Sequence, residues 1–305
     1  MDIHWDDLRI FLAVARAESL SGAGRALRLD AATAGRRIQR LEEGLGSTLF
    51  GKSPQGYVLT EAGQRLMAHA ERAEQALTEA AEEVRGAPGQ LSGQIRIGAP
   101  DGCANYILPQ VCAAIAAQHP GLELQIVALP RIVNLSKREA DMAIAVSQPA
   151  SGRLTVEKIT DYQLHLAAQR RYLKKNSKIN TLSDLKSHRI VGYIPDLIFD
   201  KELDYLAETG AQRVDLASNS VSVQFNLIRQ GAGIGIVHDF ALPTARELRM
   251  VLPEEFALTR SFFLIRHAED CRVERLNRVA DAIKSGVRAE VVRLEAELDS
   301  KGHSR

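Results

Sequence analysis

Charge of one sign is nearly absent from this chain: 39 Lys and Arg stand against 38 Asp and Glu, a formal net of +1. A field spanning the whole protein therefore cannot hold a polyanion, and any acidic partner must meet a local patch. Cysteine is scarce too. Cys103, Cys112 and Cys271 form no disulfide framework and show no metal-ligand spacing. No stretch reaches the roughly 18–20 apolar residues of a membrane span. The start, Met1-Asp-Ile-His-Trp-Asp-Asp, has no basic segment followed by an apolar run, so the expectation is a cytoplasmic protein without a secretory signal and without a membrane partner. The eight histidines are scattered, and HExxH, GxSxG and a P-loop are missing. An enzyme needs a convergent nucleophile, base and orienter, so an enzyme is not expected, nor is a cofactor. Gly231-Ala-Gly233 only superficially resembles a dinucleotide turn, because it ends a helical pattern and precedes a strand pattern.

What is present is ordinary in bulk and informative locally. A chain of 305 residues suggests two or three domains, and 45% hydrophobic with 25% charged residues is typical of globular proteins. Between Arg25 and Lys52 lie six basic residues and three acidic ones. Leu8, Phe11, Leu12 and Ala15 repeat with helical spacing after Trp5-Asp6-Asp7. Ser21 is a candidate cap for a second helix, and its hydroxyl can reach a phosphate. Ala26 is small where two helices would cross. Asp30 caps a third helix, apolar at Ile38, Leu41 and Leu45. On its other face Thr33, Arg36, Arg37 and Arg40 line up, with Ala31 and Ala32 in the first turn. A helix basic on one face and apolar on the other suits a DNA major groove, where arginine pairs with guanine and threonine reaches a thymine methyl. Pro54 and Gly56 then mark a turn between two short extended pieces, a wing whose tip carries Lys52 and Ser53 near the DNA backbone.

Thr60 can cap a long helix running to about Val84. Leu66, Ala70, Ala73, Leu77, Ala80 and Val84 are spaced alternately four and three apart, a seam that expects a partner helix or its own chain. Gly86-Ala-Pro88-Gly89 breaks that helix.

These segments resemble the LysR-type transcriptional regulators. The resemblance rests on Asp7-Leu8-Arg9-Ile10-Phe11-Leu12-Ala13-Val14-Ala15, Ser21 with Ala26-Leu27, and Ile38 with Leu41-Glu42. It continues through Leu45-Gly46, Leu49-Phe50 and Leu59-Thr60-Glu61-Ala62-Gly63, all in the family's order. The chain departs from the family pattern at Asp30-Ala31, Gly35 and Lys52; the first two departures bear on base contacts rather than on fold. The resemblance implies a winged helix-turn-helix over 1–59 and a linker helix over 60–87 that pairs antiparallel with that of a second subunit. It further implies a dimer reading an interrupted dyad in double-stranded DNA, and favours a tetramer.

From Gln94 onward strands and helices alternate, which predicts a parallel-rich α/β architecture. Strand patterns fall at 95–98, 122–128, 142–146, 190–193, 214–217, 233–237 and 262–266. Helical patterns fall at 106–117, 131–139, 199–208, 221–229 and from about Cys271 to about Leu298. The resemblance extends here through Ile97-Gly98, Ala140-Asp141-Met-Ala-Ile144 and Gln230-Gly231-Ala-Gly233-Ile234-Gly235-Ile236. It implies an effector-binding region over 91–305 built like a periplasmic solute-binding protein. Subdomain I would take about 91–161 and 267–298, and subdomain II about 162–266.

Ligands of open α/β sheets sit beyond the carboxyl ends of strands. That rule selects Pro100, Asp101, Gly102 and Cys103, then Leu129 and Arg131, then Ser147. In the second half it selects Tyr193, Asn219, Ser220 and His238. A small-molecule effector is the expected occupant. Where many family members have Ser or Thr for an effector carboxylate, this chain has Ala99-Pro100-Asp101. Asp101 repels a carboxylate unless it only caps its helix, so an amphoteric or cationic effector, or none, is expected. The alternatives are a solute-binding protein without DNA activity and a thiol redox sensor. On one helix, Cys103 and Cys112 would be separated by about 13 Å of rise, too far for a disulfide.

Overall fold

The structure is a computed structural model that describes residues 4–53, 56–85, 91–128, 140–149, 154–210 and 213–300. Contacts divide the chain into two compact units, Met1–Pro88 and Gly89–Arg305.

In the first unit, α1 (Trp5–Ala17) buries Asp7, Ile10, Phe11, Leu12 and Val14. The buried stripe is thus centred slightly earlier than the pattern Leu8, Phe11, Leu12, Ala15 suggested. Helix α2 (Leu20–Leu27) is capped by Ser19, whose hydroxyl oxygen accepts from the Gly22 N–H at 3.1 Å. Ser21, the expected cap, is instead an exposed residue of the first turn, because Ser19 has the extended backbone a cap requires. Ala23 and Gly24 are the buried small residues of this helix, whereas Ala26, the residue expected at a crossing, is exposed. A Cβ on Gly24 would lie 2.5 Å from the Leu29 carbonyl oxygen. Helix α3 (Ala31–Leu45) is capped by Asp30, as its sequence suggests, through a 2.8 Å bond from the Thr33 N–H. Strands β1 (Phe50–Ser53) and β2 (Gly56–Leu59) pair antiparallel, and the rings of Phe11, Phe50 and Tyr57 tie this wing to α1.

Helix α4 (Glu61–Arg85) starts where Thr60 Oγ1 accepts from the Gly63 N–H at 3.0 Å and donates to the Thr48 carbonyl at 2.7 Å. The seam divides: Leu66 and Ala70 pack into the unit's own core, while Leu77 and Ala80 are exposed. The Val84 side chain lies outside the described residues.

The second unit is built on one mixed sheet. Strands β3 (Ser92–Ala99), β4 (Gly121–Ala128) and β5 (Met142–Ala145) are parallel to one another. Beyond them, β6 (Leu154–Gln169) is followed by β7 (Ile190–Gly192), β8 (Leu216–Ala217), β9 (Ile234–His238), β10 (Leu248–Met250) and β11 (Ala257–His267). The order across the sheet is β4-β3-β5-β11-β6-β9-β7-β8, with β10 paired to β6. β6 and β11 pair antiparallel from Ala257↔His165 to His267↔Leu154. These two long strands run through both halves of the sheet, so it is less parallel than the sequence pattern implied. Thr, Asp and Gln interrupt the apolar alternation of β6, which hid its length.

Helices α5 (Asp101–Tyr106), α6 (Leu108–Gln118), α7 (Arg170–Lys175), α8 (Val221–Arg229) and α9 (Glu274–Ser300) cover the sheet. The helix expected at 106–117 is essentially α6, which starts two residues later; Tyr106 ends the separate helix α5, and Ile107 divides the two. Pro109 has no N–H to continue the ladder back to Asn105. The helix expected at 199–208 is a run of 3-10 turns, Pro195–Leu197, Lys201–Leu203 and Ala207–Thr209. Asp200 accepts from the Glu202 N–H and diverts the backbone from a helical ladder. The helix expected at 131–139 lies outside the described residues. Helix α9 returns to the first half of the sheet, burying Leu276, Val279, Ile283, Val287, Val291 and Leu294.

Candidate nucleic-acid interface and effector cleft

The polar face of α3 is ordered by local bonds. The Asp30 carboxylate accepts from both the N–H and the hydroxyl of Thr33, at 2.8 and 2.6 Å. The Thr33 hydroxyl bond, then the backbone bond, hold Asp30 below the usual carboxylate range. Arg36 donates to Thr33 Oγ1 at 2.9 Å and is otherwise exposed. Ala31 and Ala32 are exposed on the first turn.

Arg37 and Arg40 have a second task that the sequence pattern did not reveal. Arg37 Nη1 lies 3.1 Å from Asp7 Oδ1. Arg40 clamps the same carboxylate, Nε to Oδ2 at 2.8 Å and Nη2 to Oδ1 at 2.5 Å. Asp7 is only 2% exposed, and a buried carboxylate needs such partners. A guanidinium has five N–H donors, so each arginine keeps free ones. Asp7, Ile10, Phe11 and Val14 share one helical stripe. An acid on that stripe was the signal available in the sequence. Lys52 and Ser53 lie on β1, but their side chains are outside the described residues.

In the second unit, the loops beyond β3, β5 and β8 and the end of β9 bring several of the expected effector residues together across the sheet. Asp101 Oδ2 accepts from Ser220 Oγ at 3.1 Å and from the Ser222 N–H at 2.8 Å. Ser220 is itself the cap of α8, accepting from the Val223 N–H. Asp101 opens α5, yet its side chain does not cap it; it spans to the start of α8. Ser147, after β5, donates to Asp200 Oδ2. Thus two carboxylates link the halves. Asn219 lies one residue before the α8 cap. Pro100 precedes α5, and Gly102 is packed so that a Cβ would lie 3.2 Å from the His238 ring. Leu129 and Arg131 lie outside the described residues.

His238 is 5% exposed, and burial pulls its imidazole down to about 3, so it is neutral at physiological pH. Its Nε2 lies 3.5 Å from the Tyr205 hydroxyl, and its ring stacks on Tyr162 at 5.5 Å between centroids. Cys103 is buried, and burial pushes its thiol far above the range of a reactive thiolate; Cys112 is pushed up to about 11. A redox-sensing thiol needs the opposite environment.

A cavity of about 570 Å³ opens at the carboxyl end of β7, in the second half of the sheet. Tyr193 is the one expected effector residue that lines it. Asp200, Lys201, Tyr205, Arg213 and Gln224 also line it, and none was singled out from the sequence. Three of them sit at or near the 3-10 turns where the sequence pattern predicts a helix. Among the described residues no cluster of three or more His, Cys, Asp or Glu could hold a metal ion. No helix among them is long and apolar enough to cross a membrane.

Two family models match this chain. Residues 5–64 match the bacterial regulatory helix-turn-helix protein of the lysR family, and residues 88–288 match the LysR substrate binding domain. The chain belongs to the LysR-type transcriptional regulators. It is a DNA-binding regulator with a helix-turn-helix domain followed by a two-subdomain α/β domain. The HTH-type transcriptional regulator PtxR of Pseudomonas aeruginosa is 27% identical over 251 residues, covering 81% of this chain and 79% of that protein. Full-length LysG of Corynebacterium glutamicum, solved with bound effector Arg, superposes with a TM-score of 0.65 at 18% identity, covering 93% of this chain and 98% of that one. A variant of full-length OxyR from Pseudomonas aeruginosa gives 0.67 at 15% identity, covering 94% and 95%. At these identities the two solved LysR regulators share the fold with this chain.

Proposed function

We propose that this LysR-type regulator binds an interrupted dyad in promoter DNA as a homo-oligomer, in the cytoplasm, and that a small molecule between the two α/β subdomains modulates it. In this reading residues 1–59 form the DNA-binding head and 60–87 the linker helix. Residues 91–305 form the effector domain, divided near 161 and 267. The polar face of α3 carries the first part: Ala31, Ala32, Thr33, Arg36, Arg37 and Arg40, with Ser21 on α2 and Lys52 and Ser53 on the wing, would contact DNA. Exposed Leu77 and Ala80 on α4 support a partner helix. The bonds of Asp101 and Ser147 across the sheet support a cleft whose closure a ligand can bias, provided it binds the two states differently.

The test is fluorescence anisotropy on promoter fragments at several salt concentrations. Arg36→Ala should weaken binding by about 1–3 kcal/mol. Equal affinity of wild type and variant at every salt concentration would remove Arg36 from the interface.

A further inference from the structure

The cavity at the end of β7 grades its chemistry from floor to mouth. Its floor is made of Tyr193, Tyr205 and Gln224, at 8%, 3% and 3% exposure. The two tyrosine rings meet edge to face at 5.8 Å. Gln224 lines the cavity, and its Nε2 is turned to the Ser218 carbonyl, donating at 2.8 Å. Half-buried Asp200 stands on the wall, taking one bond from the Glu202 N–H and one from Ser147. A carboxylate has about four lone-pair sites, so two remain. The interior therefore offers acceptors, one full negative charge and aromatic faces, a combination that attracts an ammonium group. The mouth differs. Exposed Lys201 and Arg213 stand there with Asp204; Arg213 is paired with Asp215 at 2.9 Å, while Lys201 has no acidic partner among the described residues. Its volume falls within the range of about 300–1,000 Å³ typical of small-molecule sites.

We propose that this cavity takes a zwitterionic amine of amino-acid type, its ammonium on Asp200 and Gln224 and its carboxylate at Lys201 and Arg213. The inference rests on the effector-modulated reading above and adds the ligand class. It also gives Asp200 a double role, because the carboxylate that would take the ammonium is the one that accepts from Ser147 of the other half. A simple carboxylic acid is excluded from the floor by Asp200, and Asp101 already fills the donors at the start of α8.

The test uses the full chain. The twenty common amino acids are screened by thermal shift and calorimetry, and each binder is compared with its decarboxylated amine and its deaminated acid. At least one amino acid should bind saturably, its amine more weakly, and its acid at least about tenfold more weakly than the amine. Asp200→Asn, which keeps a side-chain acceptor for the Glu202 N–H, should weaken amino acid and amine by about tenfold or more. Lys201→Gln should weaken the amino acid and leave the amine unchanged. Failure of all twenty to bind, tighter binding of the acid, or indifference to Asp200→Asn each overturns the ligand class. Anisotropy on operator DNA separates this from the parent reading. An amino acid that binds through Asp200 without altering DNA affinity supports the ligand class and removes effector control. DNA affinity that responds to a compound insensitive to Asp200→Asn does the reverse.

Discussion

Replacing Asp7 by Asn separates two accounts of α3. Asp7 is buried and held by Arg37 at 3.1 Å and by Arg40 at 2.8 and 2.5 Å. Removing one partner of a fully buried ion pair costs about 3–5 kcal/mol. Here the arginine side chains are 35% and 52% exposed, so water recovers part of the loss. About 1–3 kcal/mol remains, a large share of the few kcal/mol that a domain of this size holds. For a 60–100-residue domain each kcal/mol shifts the midpoint by about 4–8 °C. Calorimetry of the full chain should therefore show the transition of the N-terminal unit falling by at least about 4 °C, with the transition of the larger unit unmoved. DNA affinity gives the sharper contrast. If charge alone governed binding, losing an acid beside two arginines would tighten it. If Asp7 braces α3 against α1, affinity should fall several-fold. An unshifted transition together with tighter DNA binding would refute the brace.

Other consequences follow from single contacts. Gly63→Ala would place a Cβ 2.2 Å from the Leu49 carbonyl oxygen, a backbone atom that cannot step aside. It should destabilise the N-terminal unit by about 1–3 kcal/mol, read by urea unfolding. His238 is held neutral down to about 3, whereas an unfolded imidazole gains its proton near 6.5. The unfolded state then binds more protons between those limits, so stability is full above 6.5 and falls with acid by about 1.4 kcal/mol per pH unit. His238→Gln should flatten that acid limb, and an unaltered pH profile would exclude His238 as its source. Leu77→Asp on the exposed face of α4 should yield smaller species in light scattering. An unchanged mass would place the oligomer contact elsewhere.

What the sequence disclosed was local. Asp30 and Thr60 announced their helices because a cap is a short-range bond, although Ser19 and Ser21 could be told apart only by backbone conformation. The wing was legible from Pro54 and Gly56 between extended pieces. The misread elements depended on distant partners. The 3-10 turns around Lys201–Leu203 looked helical because Phe199, Leu203 and Leu206 have helical spacing, yet Asp200 spends its carboxylate on the Glu202 N–H and on Ser147, 53 residues away. The Asp101 bond to Ser220 spans 119 residues. Asp101 was visible as an oddity after the first strand, but the group it serves was not. In the same way, the arginines of α3 read as a DNA face, while their hold on Asp7, 30 and 33 residues back, emerged only with the fold.

The central claim is that α3 of two or more copies reads a divided DNA site. The most direct measurement is selection of bound sequences from a random double-stranded pool by the full chain, run in parallel with Arg36→Ala. The account predicts enrichment of two inverted half-sites at a fixed spacing, lost or relaxed in the variant. Enrichment of no sequence, or of an undivided site that Arg36→Ala recovers equally well, would contradict it.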